Sequence, residues 1–175
     1  MTPNEIKAKV ERYLNRDTVD IEHINDALEE SINWLGHAGY IIDTLIFNAE
    51  EKEFYELPDD LISIIKVEDT DEEEYYEGYL IDGKLIRFED AGKYRVFGER
   101  QPQVPAGPDE ELTLYPLLQY CVLDYVKGFC KVSIDDTSQD GHRLMQKFQQ
   151  DAAKAYRSIK SDRNSLMSWR VERRA

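Results

Sequence analysis

Residues 79–88 read Tyr79-Leu80-Ile81-Asp82-Gly83-Lys84-Leu85-Ile86-Arg87-Phe88, two short β-prone runs about an Asp-Gly pair. An Asp-Gly step between such runs is a strong hairpin signal, because the type I′ turn needs positive φ at both central residues. The spacing therefore predicts two antiparallel strands with Asp82-Gly83 at the turn. Working outward, Ile41 to Phe47 is β-prone and Glu53 to Leu57 alternates. Leu57-Pro58-Asp59-Asp60 reads as a turn, Ile64-Ile65-Lys66-Val67 as a short strand and Tyr94-Arg95-Val96-Phe97 as a last strand. Residues 41–100 thus read as a β-rich insert.

Both flanks have a different period. Thr2-Pro3-Asn4-Glu5 is a helix start, with Thr2 as cap, Pro3 in the first turn and Glu5 closing a capping box. Ile6, Val10, Tyr13 and Leu14 follow at helical spacing, to an end near Asn15. Asp20 caps a second helix with Ile21, Ile24, Leu28, Ile32 and Leu35 on one face, closed by Gly36 and Gly39. These two helices occupy residues 1–40.

After the insert, Pro102, Pro105, Gly107 and Pro108 mark a linker over 101–115. Pro116 opens a third helix, apolar almost all round, which predicts a central position. The fourth helix runs from about Asp140 to Arg163, within a helix pair over 116–164. Met145, Phe148, Ala152, Ala155 and Ile159 recur at steps of 3 and 4 and form a heptad seam. That seam serves either the core of the chain or a contact with a neighbouring copy. Residues 165–175 have no period and carry Trp169, Arg170, Arg173 and Arg174, so they read as an extended C-terminal tail. The fold class is α+β: a helical bundle of two N-terminal and two longer C-terminal helices, with an inserted small antiparallel β-sheet lobe, all in one domain.

Composition narrows the function. The 175 residues are 41% hydrophobic and include 11 Tyr, six Phe and two Trp, enough for a packed core. Net charge is −14, which excludes nucleic-acid binding by phosphate neutralisation. The charge is uneven: residues 113–175 hold eleven basic and seven acidic side chains, so the acidic excess lies in residues 1–112. Complementary ends of this kind suit stacking of copies. No apolar run reaches the roughly 18 residues a membrane span needs, and residues 1–14 are too charged for a signal peptide. Cys121 and Cys130 fall on opposite faces of one helix and cannot bridge each other, which reads as a reduced, intracellular chain.

Catalytic machinery does not emerge from the sequence. No Gly-rich phosphate loop, nucleophile elbow or HExxH is present. His23, His37 and His142 lack metal spacing. The acidic run from Glu68 to Glu77 lacks the glycine of an EF-hand loop and reads as a solvated loop. Its Glu72, Glu73, Glu74 and Glu77 are candidates for a partner-facing surface. The expectation is a protein that is not an enzyme and has no catalytic, cofactor-binding or metal site.

The order of these segments resembles the head-to-tail connector (adaptor) proteins of tailed bacteriophages. Three stretches carry the resemblance. One is the opening helix pair with Ala27-Leu28-Glu29-Glu30-Ser31-Ile32. The second is Phe54-Tyr55-Glu56-Leu57-Pro58-Asp59-Asp60-Leu61-Ile62, followed by Ile65-Lys66-Val67. The third is Leu117-Leu118-Gln119-Tyr120 through Phe129, the turn Ser133-Ile134-Asp135-Asp136, then the long helix with Leu144, Phe148 and Tyr156. The extensive strand region departs from the smaller, almost all-helical adaptors.

The resemblance implies a structural virion protein of the phage neck, assembled in the host cytoplasm. It implies a self-associated ring, usually a dodecamer, beneath the portal protein. Such a ring extends the DNA channel, lets double-stranded DNA pass without specific binding, and docks a downstream neck or tail protein, with no membrane partner. By position and composition, Trp169, Arg170, Arg173 and Arg174 would form its portal-binding tail, and Glu72, Glu73, Glu74 and Glu77 would face the channel lumen or a partner. Two other readings compete: an acidic DNA mimic that inhibits a nucleic-acid-binding enzyme, and a small hydrolase built on the carboxylate run.

Overall fold

The computed structural model describes residues 1–16 and 18–171, with residue 37 and residues 161–171 described through their backbone alone. The chain divides into two compact units, residues 1–39 with 103–175 and residues 40–102. The fold is α+β, with two helices before and two after a strand-rich insert.

In the helical unit, α1 spans Pro3–Leu14 and α2 Ile21–Leu35. The Glu5 N–H donates to Thr2 Oγ1 at 3.2 Å and the Thr2 N–H to the Glu5 carboxylate at 3.3 Å, so the capping box forms. Asn15 ends α1 in the left-handed region, and Asp20 caps α2 by accepting from the Glu22 N–H at 3.0 Å. The proline-rich stretch has neither helix nor strand, but from residue 103 it is a strap on this unit rather than a free linker. The Asn4 N–H donates to the Pro108 carbonyl and the Leu112 N–H to the Met1 carbonyl. Leu112 and Leu114 are buried, and the Gln119 amide donates to both of their carbonyls.

Helix α3 spans Pro116–Ile134 and α4 Gln139–Val171. Ser138 caps α4 by accepting from the Gly141 N–H at 3.3 Å. The two helices form the most intimate packing of the unit, and Gly128 and Gly141 set its closeness. A Cβ on Gly128 would stand 2.7 Å from the Gly141 carbonyl oxygen and 2.9 Å from Met145 Cγ. One on Gly141 would stand 2.7 Å from Val132 Cγ2. Only hydrogen fits at either position.

The heptad seam lies inside this chain. Phe148, Ala152, Ala155 and Ile159 are buried in the core of the helical unit, and Met145 packs on it half-buried. Phe148 meets Tyr125 at 4.9 Å and takes the edge of Trp34 at 5.2 Å. Two expectations change. Helix α4 continues to Val171, so residues 165–171 are helical where an aperiodic tail was expected. Helix α3 is not buried all round, since Leu117 and Tyr120 are 52% and 64% exposed.

In the β unit, strands β1 (Ile41–Ala49), β7 (Gly92–Arg100), β3 (Leu61–Asp69) and β4 (Glu74–Tyr75) form one antiparallel sheet in that spatial order. Strands β2 (Phe54–Glu56), β6 (Leu85–Phe88) and β5 (Tyr79–Asp82) form a second. The insert therefore holds two sheets rather than one. The expected hairpin is β5–β6, but Asp82 pairs with Leu85, so the turn residues are Gly83-Lys84. Of these two only Gly83 has positive φ, at 59°, as in a type II′ turn, which needs glycine at its first central position alone. Phe88 stacks on Tyr94 with ring centroids 4.3 Å apart and planes within 2°. Val67, Ile86 and Val96 complete a core with no exposure.

Candidate interaction surfaces

The carboxylates of residues 68–77 divide into two roles. Glu68 is buried and bound by Lys66 at 2.6 Å and Arg95 at 3.6 Å, so it belongs to the sheet. Asp69 Oδ1 accepts from the N–H groups of Asp71 and Glu72 at 2.8 and 3.3 Å, which folds the chain back. Glu73 takes a left-handed conformation. Glu74 and Tyr75 then pair with Asp69 and Glu68. The run is the tip of a β-hairpin, a pairing hidden in the sequence because four consecutive acids carry no strand period. Glu72, Glu73, Glu74 and Glu77 are all exposed. Among the described residues no cluster of His, Cys, Asp or Glu could hold a metal ion.

Charge follows the division of the chain. Residues 40–102 hold 18 acidic and seven basic side chains, a net −11, which leaves −3 for the helical unit. The acidic surface is thus chiefly that of the β unit. Within it, Arg100 binds Asp60 at 2.8 Å and also pairs with Asp43, which ties β7 to β1 and to the turn before β3. These are structural pairs.

The two thiols are not poised for chemistry. Burial pushes the Cys130 thiol up to about 11 and also raises Cys121, which lies near Asp151 and Asp124. Both stay protonated at neutral pH and are weak nucleophiles. Cys130 lines a cleft of about 260 Å³ with Arg16, Thr18, Val19, His23 and Ile134, where the α1–α2 link meets the end of α3.

At the same end of the helical unit, Asp140 accepts from the Tyr13 hydroxyl at 2.6 Å and from Lys131 at 2.7 Å. Lys127 and Lys131 also lie over the Tyr13 ring, at 5.8 and 5.2 Å. This cluster joins α1, α3 and α4. It escaped the sequence reading because its members lie as far apart as 13 and 140.

The expected tail residues fall at the far end of α4. Trp169 and Arg170 lie on its helical backbone, while Arg173 and Arg174 lie outside the described residues. At about 1.5 Å per residue, the 33 residues of α4 span about 50 Å and the 19 of α3 about 28 Å. The helices are antiparallel and cross at Gly128 and Gly141, so the start of α3 is level with about residue 155 of α4. The last four turns or so of α4 outrun their partner. Ile159, the last of the named seam residues, is still buried about one turn past that level.

No protein-family model matches the chain, and no curated protein matches it significantly in sequence. Among the described residues no helix is long and apolar enough to cross a membrane.

Proposed function

We propose that this protein is a structural, non-catalytic head-to-tail connector of a tailed-phage virion. In this reading copies form a ring beneath the portal, extend the DNA channel and dock the next neck or tail component. The observation that carries it is the α3–α4 hairpin with its overhanging α4. A helix that runs on past the start of α3 to Trp169 and Arg170, in a sequence that continues with Arg173 and Arg174, has the composition of an anchor. A tryptophan fills a pocket, and arginines pair with carboxylates on the partner. The exposed acidic hairpin of the β unit supports the same reading, since carboxylates near a channel repel DNA phosphates and keep the genome from sticking.

The test is negative-stain imaging of the protein alone and with the portal of its own phage, beside a chain lacking residues 165–175. End-on rings on the portal are expected for the full chain, and loss of attachment with an intact fold for the truncated one. Capture of portal by the truncated chain at the full-length level overturns the anchoring role, and absence of any ring overturns the connector.

A second reading, an acidic DNA mimic, draws support from the −11 of the β unit. It requires salt-sensitive binding to a DNA-processing enzyme, lost when Glu72, Glu73 and Glu74 are neutralised together.

A further inference from the structure

Each sheet of the β unit ends in two edge strands. Three of these edges are short: β2, β4 and β5 have three, two and four residues. The fourth, β1, has nine, with neither Lys nor Pro to blunt it. In an antiparallel pair, alternate residues turn their N–H and C=O toward the partner strand and the others turn theirs away. The Lys93 carbonyl of β7 accepts from the Thr70 N–H at 2.8 Å, on the β3 side. Its β1 partner Asn48 therefore turns its backbone away from β7, and by alternation so do Ile46 and Thr44. Two donors on this outward side are already taken. The Thr44 N–H donates to Asp43 Oδ1 and the Glu50 N–H, just past β1, to the Tyr55 hydroxyl, both at 2.7 Å. Between them, the N–H groups of Ile46 and Asn48 and the carbonyls of Thr44, Ile46 and Asn48 face no further strand.

The side chains along this window have a definite chemistry. Ile46, 58% exposed, lies opposite Arg95, and exposed Asn48 opposite Lys93. On the other face Leu45 and Phe47 pack on the core half-buried. The β unit holds seven basic side chains, and six of them bind a carboxylate of the same unit, Arg95 through Glu68. Among the described residues of the unit, only Lys93 forms no salt bridge, and it is exposed.

We infer that the β1 edge takes an extended segment of another protein as an added strand, with apolar side chains beside Ile46 and Phe47 and a carboxylate beside Asn48, within reach of Lys93. Main-chain bonds give such a contact its affinity and alternate side chains its specificity. A second copy's β1 fits poorly. Its matching row, Thr44, Ile46 and Asn48, brings no carboxylate, and two β units at −11 repel each other. The same net charge disfavours a segment with more than the one acid. Nothing in this contact depends on ring formation.

The probe is the capped peptide Glu-Val-Val-Val-Thr, which places its glutamate in the Asn48 row when it lies antiparallel to β1. Amide exchange resolved by residue follows it on the full chain. With millimolar peptide, exchange at Ile46 and Asn48 is expected to slow about tenfold, while Thr44, already bonded, changes little. Lys93→Glu should weaken binding about fivefold, and a peptide with lysine for its glutamate should restore it. Ile46→Pro removes a donor on the side of an edge strand where proline is tolerated, and should abolish protection at Asn48 with circular dichroism unchanged. Independently of any variant's folding, N-methylation of the peptide's middle valine removes its bond to Ile46 and should abolish binding. No slowing at Ile46 and Asn48 overturns the added strand, as does equal protection by the N-methylated peptide. Equal binding to Lys93→Glu overturns the carboxylate in the occupant. Protection of these amides that rises with protein concentration, without peptide, assigns the edge to a second copy and overturns the foreign segment.

Discussion

The two units hold themselves together by different means. The helical unit has a long apolar core built from aliphatic side chains of all four helices and the 103–115 strap, with Phe148 and Tyr125 at its centre. Its closest approach is made by removing side chains, at Gly128 and Gly141. The β unit has a smaller core filled largely by rings, Phe88 stacked on Tyr94 with half-buried Phe47 and Tyr55 tilted against Phe88. It also carries most of the net negative charge. A small core under a large like-charge load has less stability in reserve, so the β unit should be the first to yield to core damage and the more responsive to salt.

The largest effect expected is from Phe148→Asp. Phe148 is 1% exposed and packs between Tyr125 and Trp34, so the variant buries a charge among apolar side chains. A loss beyond about 4 kcal/mol is expected, enough to unfold the helical unit. Thermal melting followed by far-UV circular dichroism measures it, and an unchanged melting temperature contradicts the seam as core. The counterpart in the β unit is Phe88→Ala, which empties the middle of the ring stack. About 3–4 kcal/mol is expected there. Amide exchange resolved by residue separates the cases: Phe88→Ala should raise exchange in β6 and β7 and leave α3 and α4 protected. Equal loss in both units would show that the two cores melt as one.

Gly128→Ala comes next. Its new Cβ would crowd the Gly141 carbonyl and Met145, so α4 must move outward by a few tenths of an ångström, at about 2 kcal/mol. Alanine is otherwise the better helix former by about 1 kcal/mol, which makes the sign of the result informative. A more stable Gly128→Ala protein would mean that the helices can separate freely.

Much of this comparison is legible in the sequence, and the exceptions share a cause. Capped, periodic helices such as α1 and α2 announce themselves because their signals lie within a few residues of each other: Thr2 with Glu5, Asp20 with Glu22. The β5–β6 hairpin is visible for the same reason, though its turn is offset by one residue because glycine can serve either central position. The two-sheet arrangement is not visible, since β7 pairs with β1 and β3 across long separations that no local period encodes. The Gly128–Gly141 crossing is likewise non-local: each glycine alone looks like a weak point in a helix. Proline and glycine in 101–115 correctly deny helix and strand, yet cannot reveal that Leu112 and Leu114 are buried against the unit. For the surfaces, exposure of the acidic hairpin follows from its composition. The exposure of Leu117 and Tyr120 does not, because an apolar helix reads as central whether or not every side of it is covered.

The smallest effect expected concerns acid, and it separates the units by chemistry rather than by packing. Asp140 is held below its ordinary range first by its hydrogen bond to Lys131 and then by that to the Tyr13 hydroxyl. Its position in the first turn of α4 adds the favourable helix dipole. A carboxylate with a depressed folded value stabilises the native state above its unfolded value of about 4, and that contribution is lost as pH falls through the lower, folded value. The wild-type helical unit should therefore lose melting temperature more steeply than Asp140→Asn on acidification from pH 5 to pH 3, and the two should converge at the acid end. Tyr13→Phe removes one of the two bonds and should fall between them. High salt should shrink the difference, since Asp140 is exposed. Parallel slopes for wild type and Asp140→Asn would mean that the α1–α3–α4 junction is held by the Tyr13 ring and its two lysines, with the carboxylate contributing nothing.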